Sequence, residues 1–213
     1  MENRKNTILL TVIAVATLLV AVVGATFAYF TAQGGEAVQT PVKVTTANTS
    51  NGSFSTGGEI NITANQEDFY EGAGDKVGST TGTVTYTASS TAASNFCYTV
   101  TFDITSNNFV YTTDPTNTPE LTFTARKSAN ATDMTSAITL IDAQDITTST
   151  SDIQIPTTAG GAEYVHQINA TEGQTINDQW DFTVTFVNLD SDQNANTGKS
   201  FVGQIVFAQT ECA

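Results

Sequence analysis

Apolar and polar residues alternate along much of the chain after residue 58, and this alternation predicts β-strands. Residues 96–105 (FCYTVTFDIT) place five large apolar side chains on one face. Residues 179–188 (QWDFTVTFVN) repeat the pattern, with Trp180, Phe182 and Phe186 on one face. A period of two is that of a strand with one buried face. Shorter or weaker runs predict further strands at 41–46, 58–63, 82–88, 109–112, 120–126, 136–141, 163–169 and 201–208.

Segments rich in Gly, Asn, Asp and Ser separate these runs, which gives about eight to ten strands with turns between them. No sustained helical periodicity occurs between residues 37 and 213, although a short helix within 126–137 stays open. The polar stretch 45–56 is predicted to be a loop. The pattern therefore predicts an all-β, antiparallel β-sandwich that forms one domain over residues 29–213.

The N-terminus has the three parts of a secretory signal peptide. Arg4 and Lys5 precede an uncharged, strongly apolar run over residues 8–30. Thr26 and Ala28 supply small side chains at the −3 and −1 positions of a cut after Ala28. We therefore predict an apolar signal helix, a signal peptide over residues 1–28 and a secreted form that begins at Tyr29.

Two other interpretations of this segment stay open. Residues 8–28 are long enough to cross a bilayer, so the segment could be a retained anchor and the protein's only membrane contact. A pilin-like protein would keep the helix as the core of an assembly. Pilins usually carry a Glu near the start of that helix, and this run has none.

The charge balance narrows the range of partners. The chain of 213 residues has 7 Lys and Arg against 21 Asp and Glu, for a net charge of −14. So few cations cannot build a basic patch, which argues against nucleic acid as a partner. Removal of residues 1–28 deletes two cations and one anion, so the net charge becomes −15. The mature chain is expected to repel its own copies at low salt and to avoid anionic lipids.

Few residues are available for catalysis or for metal binding. The single histidine, His166, lacks the further His or Cys ligands of a zinc site and is predicted to be an ordinary strand or loop residue. No His-Glu-x-x-His motif, phosphate-binding glycine loop or serine elbow occurs. The sequence therefore predicts no enzyme activity, no cofactor and no metal site.

The two cysteines, Cys97 and Cys212, are predicted to form a disulfide. An even pair of cysteines in an exported chain is usually oxidised. Such a bond would join the strand at 96–105 to the C-terminal segment. Two free thiols are the alternative, and a catalytic cysteine would have only His166 as an imidazole partner.

One acidic region resembles a calcium-binding loop, and a second could supply a catalytic pair of carboxylates. Residues 190–196 (DSDQNAN) space oxygen ligands as a calcium loop does, but Ala195 replaces the required Gly and Phe201 replaces the bidentate Glu. A polar hairpin loop explains the same residues. The acidic residues between Glu67 and Asp75 are predicted to be a solvated loop.

Several segments resemble known secreted proteins. Residues 22–32 (VVGATFAYFTA) resemble signal peptides cut by the dedicated SipW-type signal peptidase of Gram-positive bacteria. The mature chain resembles the camelysin and TasA family of secreted matrix proteins. That likeness lies in residues 74–77 (GDKV) before a strand, 182–186 (FTVTF), the loop at 192–200 and the ending at 206–209 (VFAQ).

This resemblance implies a jelly-roll β-sandwich that is secreted and polymerises into extracellular fibres. We expect a non-enzymatic matrix or cell-surface fibre subunit that assembles with its own copies by donation of the N-terminal segment, residues 29–39. Two alternatives stay open. One is a camelysin-like metallopeptidase, and the other is a surface β-sandwich that binds glycans or other ligands through aromatic residues such as Tyr70, Tyr111 or Trp180.

Overall fold

Ten antiparallel β-strands form the part of the chain that is described by the structure, a computed structural model covering residues 52–113, 116–129, 134 and 136–212. No α-helix occurs in these ranges. The strands are β1 (Gly52–Thr56), β2 (Ile60–Thr63), β3 (Lys76–Thr87), β4 (Ser94–Asn107), β5 (Leu121–Ala129), β6 (Ile138–Asp145), β7 (Ile153–Gln154), β8 (His166–Ala170), β9 (Thr175–Phe186) and β10 (Ser200–Thr210). Short 3-10 helices occur at Gln66–Phe69 and Asn194–Asn196.

The strands build two antiparallel sheets. The first sheet has the order β1-β3-β9-β5-β6, and the second has the order β2-β10-β4-β7. Strand β8 also pairs with β4, along the same side as β7. Residues 156–165 leave the sheet between these two strands, so β7 and β8 act as one interrupted strand. The all-β, antiparallel sandwich-like architecture predicted from the alternation is confirmed.

The two sheets enclose one aromatic core. Alternate residues of β4 and β9 point into it, including the fully buried Phe102 and Trp180. Phe102 of the second sheet stacks on Phe123 of the first, with ring centroids 4.2 Å apart. Burial of each such side chain contributes roughly 1.5–3 kcal/mol to folding. The alternating faces predicted for 96–105 and 179–188 therefore become the centre of the sandwich.

The structure corrects two predictions from the pattern. The predicted loop at 45–56 ends in a strand, since β1 pairs with β3 and its one large apolar residue, Phe54, packs against Phe96 and Phe207. The strand predicted at 109–112 does not form. Its backbone bonds the side chains of Asn196 and Glu120 instead of a neighbouring strand.

The N-terminal predictions lie outside the described residues. These are the signal helix, the cut between Ala28 and Tyr29, the donated segment 29–39 and the strand at 41–46. Among the residues that are described, no helix has the length and apolar character needed to span a membrane.

Candidate functional site: an unpaired strand edge and a buried charged cluster

One edge of β10 is paired along only part of its length. Strand β2 pairs with residues 200–203 of β10, and β4 pairs along the other side. Among the described residues, no strand pairs with residues 204–208 on the side away from β4. We call residues 204–208 on that side the open edge.

The backbone groups of the open edge point outward. The carbonyl of Val100 in β4 accepts a hydrogen bond from Ile155 N at 2.9 Å, so it faces β7 and not β10. Val100 lies opposite Phe207 in the antiparallel register. Because hydrogen-bonded and non-bonded pairs alternate, Phe207 and Ile205 direct their backbone N–H and C=O groups toward the open edge.

Strand β1 lies beside the open edge on the opposite sheet. Phe54 of β1 stacks on Phe207 of β10, with centroids 5.7 Å apart. Val206 of β10 is one of several large apolar residues with an exposed side chain, at 41%. No strand of the described ranges pairs with the outward N–H and C=O groups of Ile205 and Phe207. An edge of this kind is a template for pairing with another strand.

A second notable feature is an ion pair inside the sandwich. Lys127 follows Leu121, Phe123 and Ala125 on the core-facing side of β5. Asp178 precedes Trp180 on the core-facing side of β9. Lys127 Nζ lies 2.8 Å from Asp178 Oδ2, and the two side chains are 19% and 3% exposed.

Aromatic residues of both sheets surround this pair. The Tyr98 hydroxyl donates a hydrogen bond of 2.6 Å to Asp178 Oδ2, and Trp180 Nε1 lies 3.3 Å from the Tyr98 oxygen as its donor. Lys127 Nζ is 5.5 Å from the ring centroids of both Tyr98 and Trp180. Burial and then the Asp178 charge raise the pKa of Tyr98 well above its ordinary value. Tyr98 therefore stays a hydrogen-bond donor at neutral pH.

His166 completes this buried cluster. Its ring stacks on Tyr98 and meets Trp180 edge-on, with centroids 5.4 Å and 4.9 Å away. The Nε2 atom lies 3.1 Å from the Ile155 carbonyl. Burial, and then the charge of Lys127, lower the pKa of His166 to about 4, while Asp178 acts in the opposite direction. Within the described ranges, no three His, Cys, Asp or Glu side chains are grouped to hold a metal ion.

Acid is expected to destabilise the fold through His166. Between pH 6.5 and about 4 the unfolded chain binds a proton at this residue and the folded chain does not, so stability falls as the pH falls. The expected loss is about 2 kcal/mol between pH 7 and pH 5. Urea unfolding of the wild type and of His166→Phe across this range measures it. Equal pH slopes in the two proteins would contradict the prediction.

Cys97 and Cys212 form a disulfide, with a Cα–Cα distance of 5.3 Å. Cys97 lies on β4 opposite Thr210, the last residue of β10. The bond therefore fixes the end of β10 and the residues that follow it to the central strand of the second sheet.

The loop with calcium-like spacing is held by hydrogen bonds within the loop and to distant parts of the chain. Asp190 accepts from Gly72 N and Asp192 accepts from Asn194 N, each at 3.0 Å. Asn196 faces inward, where its side-chain oxygen accepts a hydrogen bond from Val110 N and its Nδ2 donates one to the Val110 carbonyl. These contacts describe a structured hairpin loop.

Glu120 holds this loop from inside the protein, and no local pattern in the sequence marks it as important. The residue is fully buried. Its Oε1 accepts from Thr112 N and from Thr112 Oγ1 at 2.7 Å, and its Oε2 accepts from Gln193 Nε2 at 2.7 Å and Asn196 Nδ2 at 2.8 Å. Glu120 thus ties the start of β5 to two loops.

The remaining candidates take ordinary places. Asp68 bonds Lys76 at 2.9 Å, and Asp75 accepts from Asn188 N, so part of the predicted solvated acidic loop has structural contacts. Tyr70 is 65% exposed, whereas Trp180 is buried in the core and cannot face a glycan.

The sequence matches no protein-family model and no curated protein.

Proposed function

We propose that this protein is a secreted, non-enzymatic subunit of extracellular matrix or cell-surface fibres in a Gram-positive-type bacterium. In this proposal a dedicated signal peptidase removes residues 1–28, and the freed N-terminal segment of one copy pairs with the open edge of the next. The open edge is the observation that carries the proposal. Main-chain hydrogen bonds to such an edge supply affinity. Head-to-tail repetition of one contact that does not close gives a filament.

The finer description of the fold that we propose is a jelly roll. From β2 onward, with β7 and β8 counted as one strand, the chain crosses between the two sheets at every connection except the β5–β6 hairpin, as in a jelly roll. The order β2-β10-β4-β7 with β8 in the second sheet, and β3-β9-β5-β6 in the first, supports this description. The proposed fibre family shares it.

Assembly is expected to depend on residues 29–41. We expect the chain that starts at Tyr29 to form filaments and the chain that starts at Val42 to stay monomeric, because the second chain lacks the donated segment. Light scattering and electron microscopy across salt concentrations measure this. Assembly should be faster at higher salt, because the mature net charge of −15 is then screened.

A matched pair of variants tests the open edge itself. Val206→Lys places a charge on the open edge, where lysine blocks edge pairing, and should slow filament growth at least tenfold. Ile138→Lys alters a more exposed apolar residue, at 66% against 41% for Val206, on β6 at the far edge of the first sheet, and should leave growth unchanged. If the chains starting at Tyr29 and Val42 polymerise equally, or neither does, strand donation is wrong.

A ligand-binding role is the second candidate, and one cleft favours it. A cavity of about 970 Å³ lies between β6 and the β7 region, lined by polar residues including Asp142, Gln144, Asp152 and Gln154 together with Tyr164. Such a lining suits a polar ligand such as a glycan. Binding to a glycan array by a chain that does not polymerise would favour this candidate.

A further inference from the structure

The buried ion pair between β5 and β9 is placed for a covalent reaction. We propose that Lys127 and Asp178 condense to form an intramolecular isopeptide bond. This bond would join two neighbouring strands of the first sheet through their side chains. It is independent of the proposed fibre function and would form in a monomer.

The backbone holds the two reacting groups in contact. Strands β5 and β9 pair over the whole of β5, and Asp178 lies opposite Ala129, two residues from Lys127. The Lys127 nitrogen is 2.8 Å from Asp178 Oδ2, one bond away from the carboxyl carbon that it would attack. Fixed intramolecular geometry of this kind corresponds to effective concentrations on the order of 10⁵–10⁸ M.

The surroundings favour condensation over a lasting ion pair. Lysine and aspartate are seldom placed in a core, because their charges lose hydration there. Condensation removes both charges from between the two sheets. The rings of Tyr98 and Trp180 limit access of water, which would otherwise stabilise the separate ions and reverse the reaction.

The reaction is balanced without any further reactant. A proton passes from the Lys127 ammonium to the Asp178 carboxylate, which leaves a neutral amine and a neutral acid. The Nζ lone pair then attacks Cγ to form a C–N bond. One carboxyl oxygen departs as water, with its second hydrogen taken from Nζ, and the carbonyl re-forms as an amide. The Tyr98 hydroxyl, which donates to Oδ2 at 2.6 Å, stabilises negative charge on that oxygen during the attack.

Mass spectrometry of the secreted protein tests the proposal. After reduction of the disulfide, the intact wild-type chain should be lighter than its sequence mass by one water. Proteolysis should yield one branched peptide that contains both Lys127 and Asp178. A wild-type chain of full mass, with these residues in separate peptides, would overturn the proposal even if every variant failed to fold.

Two variants and an internal control identify the bond. Lys127→Arg keeps a cation beside Asp178 but cannot form the amide, so it should have its full sequence mass. Asp178→Asn should lose one ammonia instead of one water if it condenses. The Lys76–Asp68 pair has a similar distance of 2.9 Å but is more exposed, with side chains at 34% and 16%, and should stay unlinked. Loss of water in Lys127→Arg would show that another residue had reacted.

Discussion

Loss of the Cys97–Cys212 disulfide is expected to lower the free energy of unfolding by about 4–5 kcal/mol, according to the chain-entropy model. The two residues are 115 positions apart, so the bond closes a long loop in the unfolded chain. Reduction restores the conformational freedom of that loop. Guanidinium unfolding of the wild type with and without reductant, followed by tryptophan fluorescence, measures the change through Trp180.

The double variant Cys97→Ala, Cys212→Ala provides the control for this measurement. It should unfold slightly below the midpoint of the reduced wild type, and reductant should not shift it further. Because Cys97 is buried, a small packing loss adds to the entropic effect. Equal midpoints for the oxidised and reduced wild type would show that the bond does not stabilise the fold.

Replacement of Glu120 by alanine is expected to cost about 3–5 kcal/mol, since buried donors without partners each cost about 1–3 kcal/mol. The backbone N–H and the hydroxyl of Thr112 lose their acceptor. The amides of Gln193 and Asn196 lose one of two acceptors and keep the carbonyls of Val187 and Val110. The loop at 190–196 should therefore become protease-sensitive as well. Denaturant unfolding and limited proteolysis measure the two effects.

Two further variants distinguish the effect of the Glu120 carboxylate from the effect of side-chain size. Glu120→Gln keeps the size of the side chain, but its NH₂ group would face other hydrogen-bond donors at one end. The free energy of unfolding should therefore fall by about 1–3 kcal/mol. Glu172→Ala removes an exposed glutamate from a turn and should change stability by less than about 0.5 kcal/mol. A loss below 1 kcal/mol in Glu120→Ala would contradict the assigned role.

The sequence predicts the central strands well because their environment is uniform. Strands β4 and β9 have neighbours on both sides and one face in the core, so almost every second residue is apolar. The same alternation also contains the signal for the buried ion pair. Extending the core face of β9 back by one step from Trp180 reaches Asp178, and extending that of β5 forward from Ala125 reaches Lys127.

Other elements depend on contacts that a local pattern cannot show. Strand β1 has a single buried residue, Phe54, and β7 is only two residues long. Both form because a partner strand lies beside them. The segment at 109–112 has a strand-like composition, but Asn196 and Glu120 from distant parts of the chain take its backbone hydrogen bonds. From its residue type alone, Glu120 would be predicted to lie on the surface, because the groups that donate hydrogen bonds to it come from other parts of the chain.

The strand order also determines how fast this domain can form. Strand β3 pairs with β9, and β4 pairs with β10, and much of the chain separates the two strands of each pair. Domains dominated by such non-local pairings fold in roughly milliseconds to seconds, because loop closure precedes any gain from contact. The first sheet cannot be completed before nearly all of the polypeptide has been synthesised. Under the proposed export route, slow folding would favour transport of the chain while it is still unfolded.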